Sequence, residues 1–304
     1  MKIGIMAGAG NEPDATLAGL TQLARRAETD GFASFWLANV FGLDAMTAQT
    51  VIGAATTRIE LGTAVVPIYP RHPTAMAQQA LSTALACDGR FTLGIGLSHK
   101  LVIEDMFGLD YSKPASHMEE YLQTLIPLLR GESLSHSGER YWIHVQYAPA
   151  GGVASCPVLV AALGPRMLRI AARYAAGTVT WMTGLKTLAE HTVPALTAAA
   201  QEAGAQGTRV VAGLPVVLTS NVAAVRARLD QSLAIYGQLP SYKAMIEREG
   251  SSGPGAVALV GDEKTLREDL RRLREAGVSD LSAAFMEVEP GAFQRTWDFL
   301  KGEL

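Results

Sequence analysis

Along the chain, short runs of small and β-branched residues alternate with longer segments whose apolar positions recur every three to four residues. The runs predict strands at Lys2–Met6, Ser34–Ala38, Glu60–Val65, Phe91–Ile95, Val158–Ala162, Thr178–Met182, Val210–Leu218 and Asp280–Phe285. The longer segments predict amphipathic helices. Asp14–Asp30 places Leu17, Leu20, Ala24 and Ala27 on one stripe and stops at Gly31. Asp262–Ala276 carries Leu266, Leu270 and Leu273 on one face and Glu263–Arg267 and Glu268–Arg272 pairs on the other, with Gly277 at its end. Eight strands, each followed by a helix, predict an α/β fold, a (β/α)8 TIM barrel, in one domain spanning residues 1–304.

Two stretches exceed the barrel pattern. Residues 99–156 hold a predicted helix, Ala115–Arg130, and a hairpin turning at Ser137-Gly138 between "SLSH" and "RYWIH". Residues 238–256 hold a short helix and a Gly/Ser/Pro loop. Both insertions are expected on the C-terminal face of the barrel, where a lid would lie.

Composition narrows the function classes. The chain is 48% hydrophobic and 18% charged, enough apolar surface for a sizeable core. A net charge of −3 with scattered basic residues leaves no footprint for nucleic acid or an anionic membrane. No apolar run approaches the ~20 residues of a membrane span, and the start "MKIGIMAGAG" reads as a strand rather than a signal peptide. Cys87 and Cys156 form no CxxC pair, consistent with reduced thiols and a cytoplasmic location. No HxH or HExxH spacing supports a metal site, and no GxSxG elbow or P-loop is present. Glu104, Asp105, Glu119 and Glu120 read as solvated charges rather than a catalytic pair, and His117, His136, His144 and His191 as surface residues.

Active sites of such barrels lie at the C-terminal ends of the strands. That rule selects Asn39 after the second strand, the elbow "PIYPRHP" (Pro67–Pro73, with Tyr69, Arg71 and His72) after the third, and "GLSHK" (Gly96–Lys100) after the fourth. It also selects "AALGPR" after the fifth strand, Trp181 and Met182 after the sixth, and Met286 and Glu287 after the eighth. In "VLVAALGPRMLRIAARYAAG", Gly164 ends a strand and Pro165 starts a helix, with Arg166 beside it. Free amides and the helix dipole there form an anion pocket, although an ordinary strand-to-helix corner would read the same way. Gly94 and Gly96 permit close approach of a ring or of backbone.

These motifs together resemble the bacterial luciferase-like superfamily, and within it the oxidoreductases that use the deazaflavin coenzyme F420. The matching stretches are "AETDGFASFWLANVFGLDAMTA", "RIELGTAVVPIYPRHPTAMAQQA", "GRFTLGIGLSHK", "AALGPRMLRIAARYAAGTVTW" and "ALVGDEKTLREDLRRLREAGVSDL". The resemblance implies a cis peptide at Ala64–Val65 behind the coenzyme ring, and amide contacts from Ala162, Leu163 and Gly164. It also implies Thr180 and Trp181 nearby, and space beside the ring at Gly94 and Gly96. It further implies a small-molecule substrate and a homodimer.

The resemblance also locates departures. Where the sugar-phosphate dehydrogenase branch has an Asp-His pair after strand two and a Glu after strand four, this chain has Asn39-Val40 and His99. Asn39 transfers no proton, so His99 is the expected general acid/base, with Asn39 and Ser98 as further candidates to meet a developing anion. Reduction of an activated C=C, C=N or C=O bond by hydride from C5 fits this set better than sugar-phosphate oxidation. Trp181, Met182, Tyr69 and Phe41 are expected as apolar walls. The alternatives are an FMN-dependent monooxygenase of the same fold and a non-catalytic coenzyme-binding barrel.

Overall fold

Strand β1 (Lys2–Ala7) pairs in parallel with β2 (Ser34–Leu37) on one side and with β12 (Asp280–Phe285) on the other. From β2 the ring continues through β3 (Glu60–Thr63) and its extension β4 (Val66–Pro67), then β5 (Phe91–Gly96), β8 (Val158–Ala161), β9 (Gly177–Trp181) and β10 (Arg209–Leu218). Strand β10 pairs with β12, which closes an eight-membered parallel barrel. The computed structural model describes residues 1–304 apart from 9–11, 13, 150, 152–155, 206 and 252. A three-residue strand, β11 (Leu259–Gly261), lies outside the ring against the end of β10. Strands β6 (Leu134–Ser137) and β7 (Trp142–Val145) form the expected hairpin within the first insertion.

The period-2 alternation of the strands divides the core into two layers. Phe35, Leu37, Val158, Val160, Val210 and Ala212 face outward onto the helices. Trp36, Leu159, Val179 and Val211 face inward and fill the barrel axis, with Ala64 and Val65 packed above them. Gly62 makes room for Trp36, since a Cβ there would lie 2.3 Å from the indole ring.

Helix α1 (Leu17–Asp30) starts three residues later than the sequence predicts. Thr16 caps it by accepting from the Gly19 N–H, while the Asp14 carboxylate bonds the Thr16 N–H. Gly31 ends it at φ 95°, and Leu20, Ala24 and Ala27 are its buried stripe. In the helix Glu263–Glu275 the Glu263–Arg267 pair forms as expected. Glu268, however, pairs with Arg271 at i,i+3, and Arg272 lies beside Asp269.

The N-terminal end of the barrel is closed by charge. Arg209, the first residue of β10, donates to both Asp280 oxygens at 2.8 and 2.6 Å and to both Glu60 oxygens at 2.5 and 3.0 Å. Its guanidinium also lies 5.4 Å from the centre of the Trp36 ring. The opposite end is open.

Candidate active site

An eight-stranded barrel is just wide enough for its own side chains to fill it. Its mouth therefore stays open only where the strands end in small residues. Here they do. Ala7 ends β1, Ala38 follows β2, Gly96 ends β5, Ala161 ends β8 and Ala284 is the next-to-last residue of β12. Together with Ala64 and Val65 these residues line a cavity of about 390 Å³.

The floor is built by a bulge in the third strand. Leu61 pairs with Phe91, but Val66 pairs with Ile95, so one extra residue enters between them. The peptide Ala64–Val65 within it is cis, as the resemblance implies. Glycine supplies the room for the bulge. A Cβ on Gly94 would sit 1.9 Å from the Thr63 carbonyl oxygen, and one on Gly96 would sit 2.5 Å from a Val65 methyl. Gly94 is thus occupied by protein backbone rather than left open beside a ring, and it does not line the cavity; Gly96 does.

The remaining candidates divide clearly. Asn39, Ala64, Val65, Ser98, His99, Ala162, Leu163, Gly164, Thr180 and Trp181 all line the cavity, as does Phe41. Met182 does not; it is buried in a separate cluster with Val217, Val225 and Ile246. Tyr69 is also outside the cavity. It stacks on Tyr111, centroids 5.1 Å apart, and it is Tyr111 that reaches the cavity, donating from its hydroxyl to the Ser98 carbonyl at 3.3 Å. His72 is exposed and caps helix α3 (Pro73–Ala86), while Arg71 pairs with Asp44 at 2.5 Å. Glu287 caps the final helix by accepting from the Gly291 and Phe293 N–H groups.

Three surface assignments change as well. His117 is buried, 4% exposed, against Tyr69, Tyr121 and Tyr141. His191 donates from Nε2 to the Leu163 carbonyl at 3.0 Å and so steadies the Ala162–Gly164 corner. Glu120 accepts from the Arg140 and Tyr141 N–H groups and docks the hairpin. Periodicity misses such residues, because each acts through a contact distant in sequence.

The polar groups at the mouth are sparse and specific. Asn39 Oδ1 accepts from the Ala45 N–H at 3.0 Å, leaving its amide nitrogen free to donate. His99 sits near Tyr242, ring centroids 5.6 Å apart, where the two insertions meet. Burial holds its pKa below the usual histidine value, so the imidazole is neutral near pH 7. Thr180 Oγ1 and Trp181 Nε1 are buried without a hydrogen-bond partner, an arrangement that a ligand with complementary groups would satisfy. At Gly164, helix α5 (Pro165–Tyr174) begins with no side-chain cap, so its first amides are free to meet an anion. Arg166 does not join them; its guanidinium turns aside to Ser116 Oγ at 2.7 Å.

Small residues on the floor, free amides at one edge and orphaned polar atoms on the wall suit a flat, largely apolar ring bearing an anionic tail. These features define a (β/α)8 barrel with an open, largely apolar cavity at the end where active sites of this fold lie.

Comparison with known proteins agrees. The family model of luciferase-like monooxygenases matches residues 1–280. A Mycobacterium tuberculosis protein named as a coenzyme F420-dependent oxidoreductase is 30% identical over 191 residues, 58% of this chain and 54% of that protein. The 5,10-methylenetetrahydromethanopterin reductase of Archaeoglobus fulgidus is 26% identical over 247 residues, 79% of this chain and 72% of that one. The solved structure of the F420-dependent tetrahydromethanopterin reductase of Methanopyrus kandleri superposes with a TM-score of 0.84. That match has 21% identity and covers 100% of this chain and 98% of the other. The chain belongs to the luciferase-like monooxygenase family.

Proposed function

We propose that this protein is an F420-dependent oxidoreductase that reduces an activated C=C, C=N or C=O bond of a small organic substrate. The observation that carries the reading is the floor of Ala64, Val65 and Gly96 facing the uncapped start of helix α5 across one cavity. The relative named as a coenzyme F420-dependent oxidoreductase supports the choice of coenzyme. When bound, the deazaflavin supplies two electrons as a hydride at its C5.

The chain's own residues do the rest. Ala64, Val65 and Gly96 set the plane of the ring, and the amides at Ala162–Gly164 meet the anionic tail. Trp181, Phe107 and Tyr242 exclude water, which strengthens each remaining hydrogen bond. Reduction of a carbonyl consumes one hydride and one proton, and the proton belongs on the oxygen. His99 is placed to deliver it: its imidazolium form, protonated from solvent, donates to that oxygen and returns to neutral imidazole, whereas the neutral ring offers only a hydrogen bond. The Asn39 amide and Ser98 hydroxyl can share the developing negative charge.

The test is a pair of fluorescence titrations with F420 and FMN, followed by reoxidation of reduced F420 with a panel of enones, imines and ketones. Saturable F420 binding and turnover are expected. Tight FMN binding with no response to F420 would instead favour the monooxygenase reading. F420 binding with silence across the panel would favour a non-catalytic barrel.

A further inference from the structure

Among the described residues, the cavity lining contains no aspartate, glutamate, lysine or arginine. Of the charged groups nearby, Glu12 accepts from the Gly8 N–H just past β1 and keeps its Oε2 buried without a partner, and the others are engaged elsewhere. Asp44 pairs with Arg71, Asp110 with Arg140, Lys100 with Glu104, and Glu249 accepts from the Lys186 and Thr187 amides. An anionic group brought into such a cavity would lose its hydration and meet no counter-charge. The anion pocket at Gly164 lies at one edge and is taken by the coenzyme in the reading above, on which this inference rests.

The mouth adds a second, independent observation. Large apolar side chains that would ordinarily be covered stand exposed around it: Phe41 at 63%, Val40 at 55% and Ile235 at 50%. Phe41 and Phe107 meet edge to face with centroids 6.2 Å apart and form one side of the rim. Val40, Phe41, Phe107 and Ile235 also line the cavity, so the exposed patch and the interior are continuous. A contiguous apolar surface running out of a cavity marks the path of an apolar ligand.

We infer that the substrate is a neutral, hydrocarbon-rich carbonyl compound or its reduced counterpart. Its polar group sits beside His99 and Asn39, and its alkyl or aryl tail runs out past Phe41 and Phe107. The rim selects by apolar contact along the tail, and an interior without a basic side chain rejects anionic analogues.

The test is equilibrium binding by tryptophan fluorescence, with and without saturating F420. One series runs from butanone to decan-2-one, and a second consists of the alkanoates of matching length. Affinity for the ketones should rise about three-fold per methylene until the tail clears the rim. Each alkanoate should bind at least about 100-fold more weakly than the ketone of its length. Phe41→Ser and Phe107→Ser should flatten the chain-length slope. Equal affinity for the alkanoates, a flat ketone series, or an unchanged slope in both variants would overturn the inference. A failed F420 titration would count against the coenzyme assignment alone, because the ketone series is read on the bare protein as well.

Discussion

The Thr63 carbonyl oxygen stands where a side chain on Gly94 would be, 1.9 Å from the position of the missing Cβ. The two residues are also tied in both directions. The Gly94 N–H donates to Thr63 Oγ1 and the Thr63 hydroxyl donates to the Gly94 carbonyl, each at 2.9 Å. A side chain thus supplies the hydrogen bonds that the ladder loses at the bulge, and the floor of the cavity is held by its neighbour strand.

Gly94→Ala should therefore act on folding and on the site together. The obstructing atom is backbone and cannot swing away, so a loss of roughly 2–3 kcal/mol is expected, with weakened F420 binding in the folded fraction. Gly164→Ala is the contrast. Its φ is −90° and a Cβ there meets nothing within 4 Å, so stability should hold while F420 affinity falls. Urea melts paired with F420 titrations of both variants check this.

At the closed end, Arg209→Met should destabilise by about 3–5 kcal/mol, because it leaves Asp280, whose side chain is only 3% exposed, buried without its partner. Arg209 is remote from the cavity, so F420 affinity of the folded variant should match that of the unaltered protein. Chemical denaturation and a coenzyme titration read the two effects separately.

The proposed role of His99 predicts how turnover depends on pH. Burial depresses its pKa, so protonation sets in only below the usual histidine range of about 6.5. As a proton donor it must be imidazolium, so kcat/KM for reduction should be low from pH 8 to about 6.5 and rise at lower pH as the imidazolium forms. His99→Ala should lower kcat/KM at low pH by about 100-fold or more and remove that rise. A pH–rate profile of both proteins checks it.

His117 acts on stability instead. Burial among the tyrosines pulls its pKa to about 4, whereas in the unfolded chain it is near 6.5. Between these values the unfolded state binds the proton first. Stability is therefore full above about pH 6.5 and declines as pH falls toward 4, by roughly 3 kcal/mol in total. His117→Gln should remove most of that decline in urea melts taken at pH 7, 5.5 and 4.5.

The barrel was legible because its strands and helix stops depend on local pattern. Gly31 and Gly277 end helices at φ 95° and 88°, and all eight sequence-predicted strands occupy positions in the ring. Strand β11 was not legible, since three residues carry no period. The π-helix Leu101–Met106 in the first insertion was missed for a related reason: its apolar positions fit an ordinary helix as well as an irregular loop. Strand ends located Asn39, His99 and Gly164 at the cavity, because the barrel fixes where a strand end points. The same rule placed Tyr69 and Met182 there wrongly. Past the strand end, the direction of a side chain is set by what packs on it: Tyr111 and His117 for the first, the cluster around Val217 for the second. The role of Gly94 was hidden too, because a glycine that admits backbone and one that admits a ligand are identical in sequence.

The most direct test is a crystal structure of the protein soaked with F420. Tricyclic density is expected flat against Ala64 and Val65, with the anionic tail at the amides that follow Gly164. A ring bound elsewhere, or side chains closing over Gly96 and Ala161 with no ring between them, would contradict the assignment.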